Sequence, residues 1–141
     1  MTASHTNEAV FTVRVYYEDT DAGGVVFYAN YLKYMERART EWLRAMGVAQ
    51  SALAEDERRM FVVQGLSMSY LRPARLDDLL TIRSRITRLG RASLHFAQRA
   101  ERDEELLACG DIQICCVDPH KLRPASIPDA LYDKLKAIFR E

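Results

Sequence analysis

Apolar and polar side chains alternate from Val10 to Glu18, close to the start of the chain. A period of two with β-branched and aromatic residues is typical of a strand whose two faces differ. The residues of its apolar face are Phe11, Val13, Val15 and Tyr17. We expect the polar residues 1–9 to be loose. We expect the strand to end in residues 19–24, where Gly23 and Gly24 can adopt backbone angles that other residues avoid.

A long helix is predicted over about residues 30–46, because apolar side chains recur there at steps of three and four. Asn30 is a suitable N-cap and Gly47 a suitable C-cap. A shorter helix is predicted over Ser51–Glu57. The large apolar residues of the long helix suit burial against a sheet, and they are Tyr31, Tyr34, Met35, Ala38, Trp42 and Met46.

Four strand patterns follow, and they cover Phe61–Leu71, Leu79–Leu89, Ala92–Arg102 and Leu106–Val117. Gly65 is a candidate bulge in the first of these strands. In the second, residues such as Leu80 and Ile82 should point inward, and Arg83 should point outward. The fourth is apolar on both sides, so we expect it to lie centrally. The short connections imply antiparallel neighbours.

The chain ends in a third helix, predicted over residues 128–140, with Pro128 near its first turn. Helices on one side of a mostly antiparallel sheet make an α+β domain. The sheet should curve around the long helix, because a flat layer would leave part of its apolar surface exposed. No repeat or linker divides the sequence, so a single domain over residues 1–141 is expected.

Composition excludes several classes of function. Lys and Arg number 20, Asp and Glu also number 20, and the net charge is +0, so no overall field attracts nucleic acid. The cysteines lack the spacing of a disulfide framework or a zinc site, so we predict a reducing compartment and no metal. With no signal peptide and no apolar run of about 20 residues, a cytoplasmic protein without membrane insertion is expected.

The candidate chemistry lies between the first strand and the long helix, where Asp19 and Asp21 flank Thr20. A carboxylate at such a junction can be half-shielded from water and kept ionised by the positive end of the helix dipole. It can then act as a general base or a nucleophile. The same residues also serve simply to cap a turn, so spacing alone leaves both interpretations open for Asp21.

Other candidates have equally simple alternatives. Tyr28 could donate a hydrogen bond in a pocket or merely pack, and Asn30 could orient a carboxylate or merely cap the helix. No histidine lies beside the acidic turn, so a His–carboxylate dyad has little support. Basic residues flank two of the predicted loops and could form a phosphate site together, or act singly as surface charges. They are Arg88, Arg91, Lys121 and Arg123.

The segment Val13–Val26, VRVYYEDTDAGGVV, strongly resembles the hotdog-fold acyl-CoA thioesterases, as do Asn30-Tyr31 and Glu36–Glu41. The chain is similar in particular to the 4-hydroxybenzoyl-CoA thioesterase class and, within it, to the Tol–Pal-associated YbgC group. Residues 61–63, 73–78 and 116–119 also resemble that group. The resemblance therefore covers nearly the whole chain, and it favours the catalytic interpretation of Asp21.

The resemblance implies a five-stranded antiparallel sheet wrapped around the long helix. It also implies a homodimer with one continuous sheet, often paired into a homotetramer, and active sites at the dimer interface. The family aspartate corresponds to Asp21, not to Asp19. Tyr28 occupies a pocket position that is histidine in some members, which removes a possible second acid–base group. Gly24, Val25 and Asn30 belong to the substrate-binding positions.

The carbonyl-polarising segment of the family corresponds to backbone N–H groups around Met60 and Phe61 of the partner chain. Benzoyl-specific members carry glycine where this chain carries Met60. The four basic residues would hold the phosphates of coenzyme A, which is part of the substrate, so no cofactor is implied. An acyl carrier protein is a possible partner.

The implied reaction is hydrolysis of an acyl-CoA to a free acid and CoA. Two alternatives remain at this point. A hotdog dehydratase acting on hydroxyacyl thioesters would need a histidine working with a carboxylate. A non-catalytic acyl-thioester-binding or scaffold protein of the cell-envelope or lipid machinery would bind the thioester without turnover.

Overall fold

The computed structural model describes residues 7–139, and it confirms the predicted α+β architecture of one five-stranded antiparallel sheet with one long helix, the hotdog arrangement. None of the helices in this range is long and apolar enough to cross a membrane. A short 3-10 turn, Tyr17–Asp19, precedes the long helix. The other elements are β1 (Ala9–Arg14), α1 (Asn30–Ala45), α2 (Gln50–Asp56), β2 (Met60–Tyr70), β3 (Leu79–Leu89), β4 (Ser93–Arg102), β5 (Glu105–Val117) and α3 (Asp129–Phe139).

The strands lie in the order β1-β3-β4-β5-β2. Consecutive strands are antiparallel neighbours for β3–β4 and β4–β5, as predicted. The same prediction is wrong for β2 and β3, because β2 pairs with β5 at the far edge. The connection 71–78 must therefore cross about 14 Å of sheet. β5 is an interior strand but not the middle one, which is β4. The predicted bulge at Gly65 is confirmed by a register shift between Val63 and Gly65.

The first strand ends sooner than its alternating pattern predicts. β1 stops at Arg14 rather than Glu18, and Tyr17 is 81% exposed instead of facing the core. The reason is local: Asp19 Oδ2 accepts a hydrogen bond of 2.9 Å from the Tyr16 N–H. A short polar side chain thus replaces a strand partner and turns the chain.

Helix α1 buries the predicted apolar stripe except Met46, which is half-buried just beyond the helix. Its Trp42 ring packs edge-on against Phe96 of β4 with 5.2 Å between centroids. The prediction that Asn30 is the N-cap is wrong. Ala29 is the N-cap, and Asn30 is the first helical residue. Its side chain is used elsewhere, donating to the Asp19 carbonyl at 2.8 Å. Gly47, with φ +87°, lies just beyond the helix, where a left-handed backbone ends it.

The two ends of the chain differ slightly from expectation. Residues 1–6 and 140–141 lie outside the described part, so the predictions that fall on them have no counterpart here. Residues 7–9 are not loose: the Asn7 side chain donates to the Ile86 carbonyl at 2.7 Å and accepts from the Ile86 N–H at 2.8 Å. In α3, Leu135 is buried as predicted, whereas Phe139 is 38% exposed.

An ion cluster clamps the connection 71–78 to the β4–β5 turn. Arg102 donates to Asp78 Oδ2 at 2.8 Å and to Glu105 Oε1 at 2.7 Å. Burial by itself would raise the pKa of Asp78. The hydrogen bonds from the Arg75 N–H and the Arg102 guanidinium outweigh burial and lower that pKa. The connection is therefore held by charge as well as by backbone bonds.

Gly110 on β5 leaves no room for a side chain. A Cβ there would overlap the Met68 sulfur and lie 2.9 Å from the Ser67 carbonyl oxygen, whereas a Cβ on Gly65 would meet nothing within 4 Å. We expect Gly110→Ala to destabilise the fold by about 1–3 kcal/mol, through overpacking. The matched control Gly65→Ala should be neutral or slightly stabilising. Chemical denaturation at one protein concentration measures both, and equal stabilities would contradict the prediction.

The ion cluster predicts a pH-dependent effect of Arg102→Met. An Asp whose pKa is lowered on folding stabilises the fold above its unfolded pKa of about 3.9, and this contribution disappears as the pH falls through the folded pKa. The variant should therefore melt several degrees below wild type at pH 7, and the gap should shrink below about pH 4. Arg85→Met, an exposed arginine on β3 with no ion pair in residues 7–139, is the control. A gap that is constant with pH would show that packing, not charge, is lost.

Candidate active site

A tight hairpin displays Asp21. Thr20 and Val26 form an antiparallel bridge, and inside it the Asp21 N–H donates to the Val25 carbonyl at 2.9 Å. The Gly24 N–H donates back to the Asp21 carbonyl at 3.0 Å, and φ of Gly24 is +80°. This left-handed angle closes the turn at little cost only because the residue is glycine. Gly24 and Val25, two predicted substrate-binding residues, thus share the hairpin with Asp21.

The Asp21 carboxylate is exposed in this chain. Its Oδ1 accepts a hydrogen bond of 2.8 Å from the Gly23 N–H, the one bond to this carboxylate within residues 7–139. The expectation of a half-shielded carboxylate is therefore wrong for residues 7–139, in which no segment folds over the turn. A bound molecule or another subunit could shield it.

The hairpin is attached to the connection 71–78. The Val26 N–H donates to the Ala74 carbonyl at 2.8 Å, and Val25 forms a bridge with Arg75. The Ala74 N–H donates to the Tyr31 hydroxyl at 3.2 Å, so the buried first turn of α1 holds the same connection. In the sequence, residues 73–78 stand out only through the resemblance to the family. Their supporting role follows from the strand order, which no local pattern reports.

An open slot of about 220 Å³ lies beside the hairpin, and its floor is aromatic. The Tyr28 and Tyr70 rings meet edge-to-face at 5.9 Å, and the Tyr31 and Tyr70 centroids are 5.5 Å apart. Tyr28 is 60% exposed, so its hydroxyl is available to a ligand. Tyr70 was not predicted as a site residue, because it lies at the end of β2, far from the hairpin in the sequence. The lining residues are Val26, Tyr28, Tyr31, Tyr70, Leu71, Arg72 and Pro73.

Asn30 supports the hairpin from below. It is 8% exposed, and its amide N–H group donates to the Asp19 carbonyl rather than to the Asp21 carboxylate. The Phe27 N–H donates to the same carbonyl at 2.9 Å. Contact between Asn30 and a substrate remains a prediction, while its link to the turn is a direct hydrogen bond.

Met60 and Phe61 lie far from Asp21 within one chain. They pair with Val117 and Cys116 at the end of the sheet opposite Tyr70. Ten strand steps separate Met60 from Tyr70, which is about 33 Å along β2. One chain therefore does not bring the predicted carbonyl-polarising segment to its own Asp21.

The predicted basic residues gather at the Met60 end of the sheet. The Cys116 N–H donates to the Ala92 carbonyl at 2.7 Å, and the Ile127 N–H donates to the Arg91 carbonyl at 2.8 Å, so the β3–β4 turn and the loop after β5 lie together. Arg91 itself pairs with Asp129 at 3.3 Å and stacks 4.4 Å above the Tyr132 ring. All four basic side chains are exposed: Arg88, Arg91, Lys121 and Arg123.

Within residues 7–139, no three His, Cys, Asp or Glu side chains lie close enough together to hold a metal ion. His95 lies on β4 and His120 in the loop after β5, away from the acidic turn, and His5 lies outside the described residues. The chemistry available at the hairpin is thus that of a carboxylate beside an aromatic slot.

Comparison with known proteins gives close matches. The profile of the Thioesterase superfamily matches residues 23–109, starting just after Asp21. The acyl-CoA thioesterase YbgC of Haemophilus influenzae is 44% identical over 92% of each chain. The acyl-CoA thioester hydrolase YbgC of Escherichia coli is 47% identical over 88% of this chain and 92% of its own.

A solved structure agrees with these matches. The crystal structure of a "probable thioesterase" from Bartonella henselae has a TM-score of 0.83 and 35% identity, and the match covers 86% of this chain and 99% of that one. The profile spans more than half of the chain, and the relatives match nearly all of it. This chain therefore belongs to the Thioesterase superfamily, among the homologues of the YbgC thioesterases.

Proposed function

We propose that the protein hydrolyses acyl-CoA thioesters, with Asp21 as the reacting carboxylate. The observation that carries this proposal is the hairpin 20–26, which displays Asp21 and whose Val26 lines the aromatic slot, in a chain of the Thioesterase superfamily. The slot would take the acyl group, and Tyr28 would offer a hydroxyl near the thioester. Gly24, Val25 and Asn30 would line or support the same site.

Two routes use the same groups. In one, an Asp21 oxygen attacks the thioester carbon, the C–S bond breaks, CoA leaves as a thiolate, and water then hydrolyses the acyl anhydride. In the other, Asp21 takes a proton from a water molecule whose oxygen attacks the carbon directly, the C–S bond then breaks, and the leaving CoA thiolate takes the proton back from Asp21. In both, the products are a free acid and CoA. The carboxylate and backbone donors suffice, and coenzyme A enters as part of the substrate.

The oxyanion that forms on the thioester needs donors from a second subunit. Backbone N–H groups around Met60 and Phe61 of the partner subunit would supply them, and one such donor is worth about 3–4 kcal/mol in another hydrolase. In the same chain these residues lie at the opposite end of β2, about 33 Å along the strand from Tyr70. A complete site therefore requires two protomers.

Strand β2 is suited to pair with a copy of itself. It is an edge strand, and Val62, Val63, Leu66 and Tyr70 are all at least 38% exposed. Edge strands carry unpaired backbone groups that can extend a sheet. Antiparallel pairing of two β2 strands around a twofold axis exchanges their ends. The Met60 end of each protomer would then meet the Tyr70 end, and hence the Asp21 hairpin, of the other.

The same exchange would bring the partner's basic residues towards the substrate. They share the Met60 end of the sheet, so arginine forks and a lysine would meet the phosphates of coenzyme A as it leaves the slot. Two such dimers would pair into a homotetramer. We further propose a cytoplasmic enzyme that is associated with the Tol–Pal machinery and able to accept acyl groups from an acyl carrier protein.

Asp21→Asn tests the catalytic assignment. Loss of a general base or nucleophile should lower kcat by about 10²–10⁴-fold, measured as free thiol released from a panel of acyl-CoAs. Glu18→Gln, an exposed acid in the preceding turn, is the matched control and should keep wild-type turnover. A folded Asp21→Asn variant with wild-type kcat would rule out this residue as the catalyst. Tight acyl-CoA binding without any thiol release by wild type would indicate a binding protein instead.

The two-chain site predicts complementation between inactive variants. Met60→Pro removes one N–H donor at the first residue of an edge strand, a position where proline is tolerated. Asp21→Asn and Met60→Pro should each be inactive alone. After subunit mixing, about a quarter of wild-type activity should return, because half of the dimers are mixed and each has one intact site. No recovery in demonstrably mixed dimers would place both groups in the same chain.

A further inference from the structure

The two acids of the turn lie in different surroundings. Asp21 is exposed, whereas Asp19 is half-buried and bonded on several sides. The Asp19 carbonyl accepts from the Asn30 amide at 2.8 Å and from the Phe27 N–H at 2.9 Å. Its Oδ2 accepts from the Tyr16 N–H at 2.9 Å. Asp19 is thus the residue through which α1 and the 3-10 turn hold the hairpin.

A buried hydroxyl lies next to Asp19 without a hydrogen-bond partner. Tyr34, on α1, is 1% exposed, and its hydroxyl is the one buried side-chain polar atom in residues 7–139 that makes no hydrogen bond. Buried tyrosine hydroxyls normally have a partner. Burial raises the pKa of Tyr34, and the Asp19 carboxylate, which is close enough to interact with the phenol as an acceptor although not in normal hydrogen-bond geometry, raises it further. The nearest candidate acceptor for this proton is therefore the Asp19 carboxylate.

Alternative acceptors around Tyr34 are already occupied or of the wrong kind. The Tyr31 ring lies 6.2 Å from the Tyr34 ring, and the Tyr31 hydroxyl already accepts from the Ala74 N–H. Arg37, whose charge also acts on Tyr34, offers donors only. The Asp19 carboxylate, in contrast, is placed to accept from the Tyr34 hydroxyl, and the hydrogen bond from the Tyr16 N–H uses only its Oδ2.

We propose that Tyr34 and Asp19 are positioning residues for Asp21. In the reactive arrangement the Tyr34 hydroxyl donates to the Asp19 carboxylate, which locks the turn two residues before the proposed catalyst. The inference rests on the proposed role of Asp21. A small displacement of a reacting group can lower the rate about 10²-fold. One hydrogen bond that holds the turn before Asp21 can therefore change kcat measurably.

Tyr34→Phe separates positioning from structure. Within residues 7–139 the hydroxyl makes no hydrogen bond of normal geometry, so its removal should change the melting temperature little. We expect kcat to fall about tenfold while KM stays within about twofold and the acid limb of the pH–rate profile keeps its midpoint. Tyr17→Phe, with its ring 81% exposed in the same turn, is the control. Wild-type kcat in a folded Tyr34→Phe variant would overturn the proposal.

A double-mutant cycle tests whether the two residues act together. Asp19→Asn keeps an oxygen acceptor and should retain most of the activity, whereas Asp19→Ala should lose about as much kcat as Tyr34→Phe. Combining Asp19→Ala with Tyr34→Phe should then add little further loss. If the fold losses in kcat of the two single variants multiply in the double variant, the two side chains act separately. If Asp19→Ala does not fold, the kcat of Tyr34→Phe, which leaves the Asp19 carboxylate in place, decides the proposal.

The result can be distinguished from failure of the proposed function. Wild-type turnover by Asp21→Asn removes the proposed catalyst whatever Tyr34→Phe does. Wild-type turnover by Tyr34→Phe beside an inactive Asp21→Asn removes only the positioning pair.

Discussion

The carbonyl group of Asp19 links the helix to the turn that displays Asp21. It accepts hydrogen bonds from the Asn30 amide and the Phe27 N–H, one from the buried start of α1 and one from the end of the hairpin. Because Asn30 is the first residue of the helix, the position of α1 sets the position of the turn. The hairpin is therefore only as well placed as the helix below it.

The helix is placed by packing and by one polar contact with the sheet. Its apolar stripe covers the inner face of β3 and β4, and Trp42 packs against Phe96. Between these layers Arg39 donates to the Gln98 side chain at 2.9 Å, and Gln98 donates to the Ser84 hydroxyl at 2.8 Å. Buried polar groups must be paired, so this contact restricts the helix to few positions. Apolar packing alone would allow α1 to shift slightly along the sheet, whereas the hydrogen-bonded side chains do not allow such a shift.

Strand order divides the functional residues between the two ends of the sheet. Because β2 lies at the edge, its Tyr70 end joins the aromatic slot, while Met60 lies at the end that carries the basic loops. A single chain thus has the Asp21 carboxylate and the slot at one end, and Met60 and the basic loops at the other. The dimer that we propose would unite them, since a twofold axis exchanges the ends without changing either chain.

Local patterns in the sequence determined most of the elements. Periods of two and near 3.6 residues depend on which neighbouring side chains are apolar, and so they located α1, α3 and the strands, and they placed Leu80 and Ile82 inward. The long motif around Asp21 pointed to the correct superfamily. Patterns failed where a single polar residue overrode them, as when the Asp19 side chain ended β1 early and the Asp19 carbonyl bonded the amide of Asn30.

Only the tertiary structure decided which residues meet. The pairing of β2 with β5, the contact of Tyr28 with Tyr70 and the ion cluster of Arg102 join residues far apart in the chain. Such contacts leave no periodic trace, because each depends on the path of the backbone rather than on its neighbours. The exposure of Asp21 was decided in the same way, since a carboxylate is shielded only by whatever the fold, or a second chain, lays over it.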